Sequence, residues 1–294
     1  MLFQSQAGNS SQQVNSIAIG YQAGRQSQSA NSIAIGYQAG NTAQGIQSIA
    51  LGSQAGQTNQ SSYSVAVGDS AGQFQQSANS VAVGSGAGQF SQGGSSVAIG
   101  ISAGYSGQDN SAIAIGDSSG RLTQGTGSIA IGISAGKNSQ GQYSVALGYN
   151  AALTGQGNYS IAIGNQAGQT NQPASSIVIN ATNSALSGST QNAFYVNPIR
   201  NDTSVSNVLY YNTTTKEIVY ASSGSGSISV GNNWGDYLYW NNNTNKWTVG
   251  SSNITLGSTA GYYGQGSQSV AIGNQAGYTG QGSQSVAIGN QAGF

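Results

Sequence analysis

A strict 16-residue repeat constrains the fold of this chain more than any other feature of its sequence. A unit of fixed length repeated in tandem is typical of a solenoid. We therefore expect residues 1–190 and 251–294 to form two solenoid segments, separated by a different module over residues 191–250. The repeat is marked by a branched aliphatic residue every 16 positions, at Ile17, Ile33, Ile49, Val65, Val81, Val97, Ile113, Ile129, Val145, Ile161 and Ile177, and again at Ile254, Val270 and Val286.

Each repeat, numbered from its branched residue, predicts two short strands. Positions 1 to 3 read Ile/Val, Ala and Ile/Val/Leu, position 4 is mostly Gly, and positions 7 and 8 are usually Ala-Gly. A β-branched block of three residues closed by glycine favours a strand and a turn over a helix. Two glycines per coil would supply positive φ angles at the corners. The expected fold class is all-β, a parallel β-solenoid or β-roll whose interior suits alanine-sized groups.

An unbroken column of glutamines at position 12 is predicted to be structural. Stacked coils would place identical amides one strand spacing apart, where each side-chain N–H can donate to the next C=O. A row of ligand-binding amides is the alternative, although glutamine is neutral and cannot act as an acid or a base. The column comprises Gln28, Gln44, Gln60, Gln76, Gln92, Gln108, Gln124, Gln140, Gln156 and Gln172.

The strand block is apolar at three successive positions, as in strands that are buried on both faces. The coil interior can cover one face, but the other face forms an apolar ribbon along the segment. A ribbon of this length would normally cause aggregation if it stayed exposed. We therefore expect the chain to associate with further copies of itself, and a monomer that tolerates an apolar stripe is the alternative.

Two phrases in the coils resemble the head repeat of trimeric autotransporter adhesins: Asn15-Ser16-Ile17-Ala18-Ile19-Gly20 and Tyr143-Ser144-Val145-Ala146-Leu147-Gly148. This resemblance implies a left-handed parallel β-roll and a homotrimer, with the ribbon at or near the three-fold axis. The segments Asn192–Arg200 and Val208–Asn212 resemble fibre proteins of giant viruses and phages. Together the resemblances imply a stiff trimeric rod, extracellular or on a virion surface, that serves attachment or spacing.

The module over 191–250 has a different composition from the coils. It contains two related stretches, Leu209–Lys216 and Leu238–Lys246, that each read as a strand followed by a polar turn, so we expect two β-hairpins. Its aromatic side chains would fill the core of a knot formed jointly by the chains, because so small a module has little else to bury. The alternative is a contact site for a cell-surface glycan or receptor, made of Trp234, Tyr239, Trp240 and Trp247.

The composition argues against several other classes of function. The chain has no Cys or His, and its six basic and six acidic residues cancel, so we expect no enzyme, no metal site, no cofactor and no nucleic-acid partner. No apolar run approaches the ~20 residues that span a bilayer, so we expect no membrane insertion. Two alternatives to the fibre stay open: a bacterial surface adhesin head, and an ice- or surface-binding solenoid, for which the coils lack the Thr-rich face.

Both ends of the sequence lie in register with the repeat. Met1-Leu2-Phe3-Gln4 occupies positions 1 to 4 of a coil, and Phe294 occupies position 9 of another. Two explanations fit this register: copies that stack head-to-tail into a filament, or a chain that is one segment of a longer fibre.

Overall fold

The computed structural model describes residues 6–200, 207–222, 236–241, 246–250 and 252–293, and within these ranges the regular secondary structure consists of β-strands alone. The chain divides into two compact units, Met1–Arg200 and Asn201–Phe294. Met1–Gln4 and Phe294, whose register suggested stacking or continuation, lie outside the described residues.

The first unit is built from two parallel sheets, and most coils contribute one strand to each. The sheet formed by positions 1 to 3, here called the isoleucine sheet, has twelve strands. They are β1 (Ile17–Ile19), β3 (Ile33–Ile35), β5 (Ile49–Leu51), β7 (Val65–Val67), β9 (Val81–Val83), β11 (Val97–Ile99), β13 (Ile113–Ile115), β15 (Ile129–Ile131), β17 (Val145–Leu147), β19 (Ile161–Gly164), β20 (Ile177–Asn180) and β21 (Phe194–Asn197).

The sheet formed by positions 10 to 12, here called the glutamine sheet, has nine strands. They are β2 (Gln26–Gln28), β4 (Thr42–Gln44), β6 (Thr58–Gln60), β8 (Phe74–Gln76), β10 (Phe90–Gln92), β12 (Ser106–Gln108), β14 (Leu122–Gln124), β16 (Asn138–Gln140) and β18 (Thr154–Gln156). Parallel pairing joins like positions of successive coils, as in Ile33 with Ile49 and Gln44 with Gln60. The predicted parallel β-solenoid with a 16-residue period is confirmed.

The corners of a coil use more positive φ angles than the two glycines predicted. In the coil that starts at Ile33, five residues have φ in the left-handed region: Gly36, Gln38, Gly40, Ala43 and Gln47. A coil of 16 residues must turn back within a few residues at each corner, and the left-handed residues there contribute to that reversal, whereas Ala43 lies inside β4. At position 4 the requirement is strict, because a Cβ on Gly36 would lie 2.3 Å from the carbonyl oxygen of Gly52 in the next coil.

The interior of the roll is lined by small and polar side chains from four positions of each coil. Ala34 at position 2, Ala39 at position 7, Gln44 at position 12 and Ser48 at position 16 are all fully or almost fully buried. The serine is satisfied locally, since Ser48 Oγ donates to the carbonyl oxygen of Gly45 at 2.8 Å. The expected alanine-sized interior is present, and each coil from Gln28 to Gln172 adds a buried amide.

The first unit ends in a wider, atypical coil. Phe194 pairs with Ile177 at a spacing of 17 residues, and the inward position 2 grows in size from Ala162 through Val178 to Tyr195. The Tyr195 side chain packs against the alanine core. Larger inward side chains fill a coil that no further coil of the first unit covers, so this coil acts as a cap.

Asn180 replaces the corner glycine in this region and is buried with its side chain satisfied. Its Nδ2 donates to the carbonyl oxygens of Asn165 at 2.6 Å and Ser184 at 2.7 Å. Its Oδ1 accepts from the nitrogen and the hydroxyl of Thr182. These hydrogen bonds fix the main chain at the point where it departs from the 16-residue register, which is also where the sequence period ends.

The second unit contains two antiparallel hairpins and a short parallel sheet. The hairpins pair β22 (Asn207–Tyr211) with β23 (Ile218–Ser222), and β24 (Tyr237–Asn241) with β25 (Lys246–Gly250). The parallel sheet contains β26 (Ile254–Leu256), β27 (Val270–Ile272) and β28 (Val286–Ile288), again in the 16-residue register. β21 belongs to the isoleucine sheet and lies beyond residue 190. The division of the chain at residues 190 and 250 stays a prediction.

Candidate functional site

The glutamine column lies inside the roll, where each amide joins the two sheets. In every coil from Gln28 to Gln172, Nε2 donates to the carbonyl oxygen of position 1 of the same coil, at 2.7 to 2.9 Å. Gln76, for example, reaches Val65 at 2.8 Å. Position 1 belongs to the isoleucine sheet and position 12 to the glutamine sheet. The amide therefore bridges the core of each coil.

The same amides also bond to one another along the axis, in part of the column. Nε2 of one glutamine donates to Oε1 of the next at 3.1 to 3.3 Å in an unbroken run from Gln44 to Gln124, and again from Gln156 to Gln172. The Oε1 atoms of Gln28, Gln44, Gln140 and Gln156 are buried without a hydrogen-bond partner. The burial of these side chains and their mutual hydrogen bonds favour the structural role, and the ligand-binding role stays the alternative.

Glycine at position 8 makes room for this amide. A Cβ on Gly72 would lie 2.7 Å from Oε1 of Gln76, and the φ of Gly72 is +52°. Position 8 therefore favours glycine both for its backbone conformation and for close packing, although Ala152 occupies it in one coil. The recurring Gly at position 8 and Gln at position 12 therefore form one packing unit within the coil.

The outer face of the isoleucine sheet is an apolar ribbon. Side chains at positions 1 and 3 point outward, while the alanine between them is buried, as in β7, where Val65 and Val67 flank Ala66. Several ribbon residues are more than two-fifths exposed, including Ile17 at 44%, Ile19 at 49% and Leu51 at 43%. Exposed aliphatic side chains in a continuous row mark a surface for association.

Of the four aromatic residues predicted as a glycan or receptor contact, the structure brings two together. Trp240 and Trp247 are cross-strand partners in the second hairpin, with ring centroids 5.7 Å apart in an edge-to-face arrangement. Their side chains are 48% and 50% exposed. Trp234 lies outside the described residues, as does the side chain of Tyr239, whose backbone lies in β24. Exposed tryptophans are compatible with a jointly formed core and with a glycan contact.

Stacked aromatic residues on the outer faces of the roll were not predicted from the sequence. Tyr21 stacks on Tyr37 at 5.5 Å, and Tyr143 stacks on Tyr159 at 5.6 Å. Phe74 stacks on Phe90 on the glutamine sheet at 5.4 Å. The signal was present in the sequence, because two aromatic residues spaced 16 apart occupy the same position of adjacent coils.

The described residues contain few groups suited to chemistry. Among them, no group of three or more His, Cys, Asp or Glu side chains is placed to hold a metal ion. Over the same ranges, no helix is long and apolar enough to cross a membrane. The main features of the first unit are instead the long, regular outer faces of the isoleucine sheet and the glutamine sheet.

Two stretches of the roll match a known family model. The family model of the YadA head domain repeat matches residues 27–55 and residues 124–151. Each match spans nearly two coils and includes the Ile/Val-Ala-Ile/Val/Leu-Gly phrase. Comparisons with curated proteins and with solved structures give no match. These two stretches of the roll are therefore similar to the head repeat of trimeric autotransporter adhesins, which supports the resemblance found in the sequence.

Proposed function

We propose that this chain forms a homotrimeric, non-catalytic fibre that is displayed outside the cell and serves attachment or spacing. The observation that carries the proposal is the ribbon on the outer face of the isoleucine sheet. It presents aliphatic side chains at positions 1 and 3 of every coil from β1 to β20. Full burial of one such side chain contributes ~1.5–3 kcal/mol, so a ribbon repeated over many coils favours strong association.

We expect three copies because residues 27–55 and 124–151 match the YadA head domain repeat, and the resemblance to adhesin heads implies three chains packed side by side. In this arrangement the ribbons of three rolls meet at or near the three-fold axis, and the glutamine sheets face outward. A stack of parallel coils pairs every strand along the axis, which resists bending. The trimer would therefore act as a stiff rod.

Sedimentation of the purified chain tests the trimer. We expect the wild type to sediment with three times the mass of one chain. Ile99→Lys places a charge on the ribbon without a partner and should shift the chain towards a monomer. Gln26→Lys places the same charge on the exposed side of the glutamine sheet and should leave the mass unchanged. A wild-type chain that is monodisperse, folded and monomeric would refute the proposal.

Two locations for the fibre are distinguished by imaging. Residues 192–200 and 208–212 resemble fibre proteins of giant viruses and phages, which favours a virion surface. The head-type repeats fit equally a bacterial surface adhesin. Gold-labelled antibody against the chain should decorate fibres on virus particles in the first case. Decoration of uninfected bacterial cells would instead establish the second.

A further inference from the structure

Three successive coils place a tyrosine and two cations in one row on the glutamine sheet. Tyr105, Arg121 and Lys137 each occupy position 9 of their coil. The main chain fixes the row: the nitrogen of Ser106 donates to Arg121 O at 3.0 Å, and that of Leu122 to Lys137 O at 2.8 Å. Neighbouring members of the row therefore lie about one strand spacing apart, ~4.8 Å.

Aromatic contacts hold the first cation in place. Cζ of Arg121 lies 5.2 Å from the centroid of the Tyr105 ring, within the range of a cation–π interaction. The Tyr105 ring meets Phe90 edge-to-face at 5.2 Å, and Phe90 stacks on Phe74 at 5.4 Å. The guanidinium is thus positioned by a continuous series of packed rings before any ligand arrives.

The charges of the two cations are not paired within the part of the chain that the structure describes. Neither Arg121 nor Lys137 forms an ion pair with a carboxylate of the described residues. Like charges on adjacent strands repel each other. In a chain with only six basic residues, this adjacency concentrates a third of the positive charge at one place. A ligand that carries anionic groups would remove the repulsion.

The row stays accessible when the ribbon is covered. Gln124 at position 12 and Ala114 at position 2 both point into the core, so the two sheets present their outer faces in opposite directions. Arg121 and Lys137 lie at the edge of the glutamine sheet and are partly exposed. Chains that pack through their isoleucine sheets would therefore leave the row on the outside of the assembly.

We propose that Arg121 and Lys137 bind the sulfate or carboxylate groups of an acidic polysaccharide. The strip from Phe74 to Lys137 crosses four strand spacings, ~19 Å, which suits an elongated chain. Single-stranded nucleic acid is a poorer fit, since its binding relies on free ring faces and here the rings pack against one another. The proposed partner is an acidic polysaccharide to which the fibre would attach, so this inference rests on the proposed attachment function.

Calorimetric titration of the full-length chain tests the site. The probes are a heparin-derived oligosaccharide, which carries sulfates, and an oligosaccharide of polysialic acid, which carries carboxylates only. At least one should bind, and binding should weaken as salt increases. Arg121→Gln and Lys137→Gln should each weaken binding about tenfold, as expected for the loss of one charge-assisted contact. Glutamine already occupies position 9 at Gln57, Gln73 and Gln89, so the fold should tolerate both changes.

Two further variants separate a positioned site from general charge. Arg25→Gln removes a position-9 cation outside the row and should change affinity less than twofold. Tyr105→Leu keeps every charge but removes the ring that holds Arg121, and should also weaken binding; Leu153 shows that position 9 accepts leucine. The proposal is overturned if neither probe binds, if Arg121→Gln binds as the wild type does, or if polyphosphate binds as tightly as the oligosaccharide. The mass of the assembly, measured in parallel, reports on the trimer independently of this site.

Discussion

The phenolic oxygen of Tyr237 accepts a hydrogen bond from the main-chain nitrogen of Thr255 at 3.1 Å and donates to the carbonyl oxygen of Asn253. Thr255 lies in β26, the outermost strand of the parallel sheet in the second unit. The open edge of such a strand presents main-chain groups that can recruit other chains. One tyrosine side chain satisfies two of these groups, so Tyr237 caps the edge at which the second set of coils begins.

Loss of this hydroxyl should loosen the first strand of the second set of coils. Tyr237→Phe keeps the ring and removes both hydrogen bonds, so we expect a decrease in stability of about 1–2 kcal/mol. The amide of Thr255 should also exchange with solvent faster. Hydrogen exchange resolved by mass spectrometry measures this. Tyr262→Phe, at an exposed tyrosine in the same unit, serves as the control, and equal exchange in both variants would contradict the cap.

Position 8 of the coil provides a paired test of the left-handed corner. Ala152 occupies this position at φ 48°, and Gly136 occupies it in the preceding coil at φ 52°. Because a Cβ is unfavourable in this conformation, Ala152→Gly should stabilise the roll by about 1 kcal/mol. Gly136→Ala should cost about 2 kcal/mol, since its Cβ would lie 2.7 Å from Gln140 Oε1. Chemical denaturation measures both, and a stable Gly136→Ala variant would show that the amide column adapts.

The buried amide column should make a glutamate variant dependent on pH. Gln76 is fully buried and donates to Val65 O. In Gln76→Glu, a protonated carboxyl can still donate to Val65 O, whereas a carboxylate would be buried with one oxygen against that carbonyl and with Gln60 Nε2 as its donor on the other. Burial and the facing carbonyl oxygen therefore raise its pKa above the ordinary value of about 4.3. The folded state is then favoured at low pH, and stability is lost as pH rises from that ordinary value to the raised pKa of the folded state. Thermal melts at pH 4 and pH 7 measure the difference, which should be absent in the exposed neighbour variant Gln75→Glu.

Tyr195 should contribute a stability that increases under alkaline conditions. Hydrogen bonds from Thr190 and Ser189 to its phenolic oxygen lower the pKa of Tyr195 to about 8, against an ordinary value of about 10. Since the folded state holds the ionised form more tightly, the contribution is small near pH 7, grows above pH 8 and is complete above pH 10. Denaturation of the wild type and of Tyr195→Phe at pH 7 and pH 10 measures it. A difference between the two proteins that does not grow with pH would contradict the assignment.

Trp240 tests whether the hairpin module forms a core shared between chains. Its side chain is 48% exposed in a single chain and meets Trp247 across the hairpin. If neighbouring chains cover this pair, Trp240→Ala should lower stability by ~3–5 kcal/mol. Leu209→Ala, at a residue 69% exposed in the other hairpin, is the comparison. An unchanged melting temperature combined with lost binding to cells or glycans would instead support a receptor contact.

The solenoid was predictable because its signal is repeated. Ala34 and Ala50 pair in the parallel register that the 16-residue spacing requires, and the same holds for Val270 and Val286 in the second unit. The two hairpins also formed where an aromatic block is followed by a polar Asn/Thr turn. In each case a local pattern and its spacing determine the hydrogen-bond partners, so little depends on distant contacts.

Features that depend on three-dimensional packing were harder to predict. The spacing of the glutamines predicts hydrogen bonds between amides of neighbouring coils. The shorter bond, from Gln76 Nε2 to Val65 O, instead crosses the core within one coil. The wide last coil was missed because Phe194 follows Ile177 by 17 residues, outside the period. The row of Tyr105, Arg121 and Lys137 occurs once, so no repetition distinguished it from variable surface positions.

Successive coils of the first unit pair through the same positions in the same register. The length of the roll therefore depends on the number of coils and not on the structure of its ends. Removing any one interior coil, such as residues 65–80, would bring Ile49 beside Val81 and leave alanine against alanine and glutamine against glutamine. The distance spanned would shorten by a single step of ~4.8 Å. The increasing size of the inward residues Ala162, Val178 and Tyr195 marks the last coil of the roll. Exchange between similar repeats can therefore lengthen or shorten the protein in whole steps without redesigning either terminus of the roll.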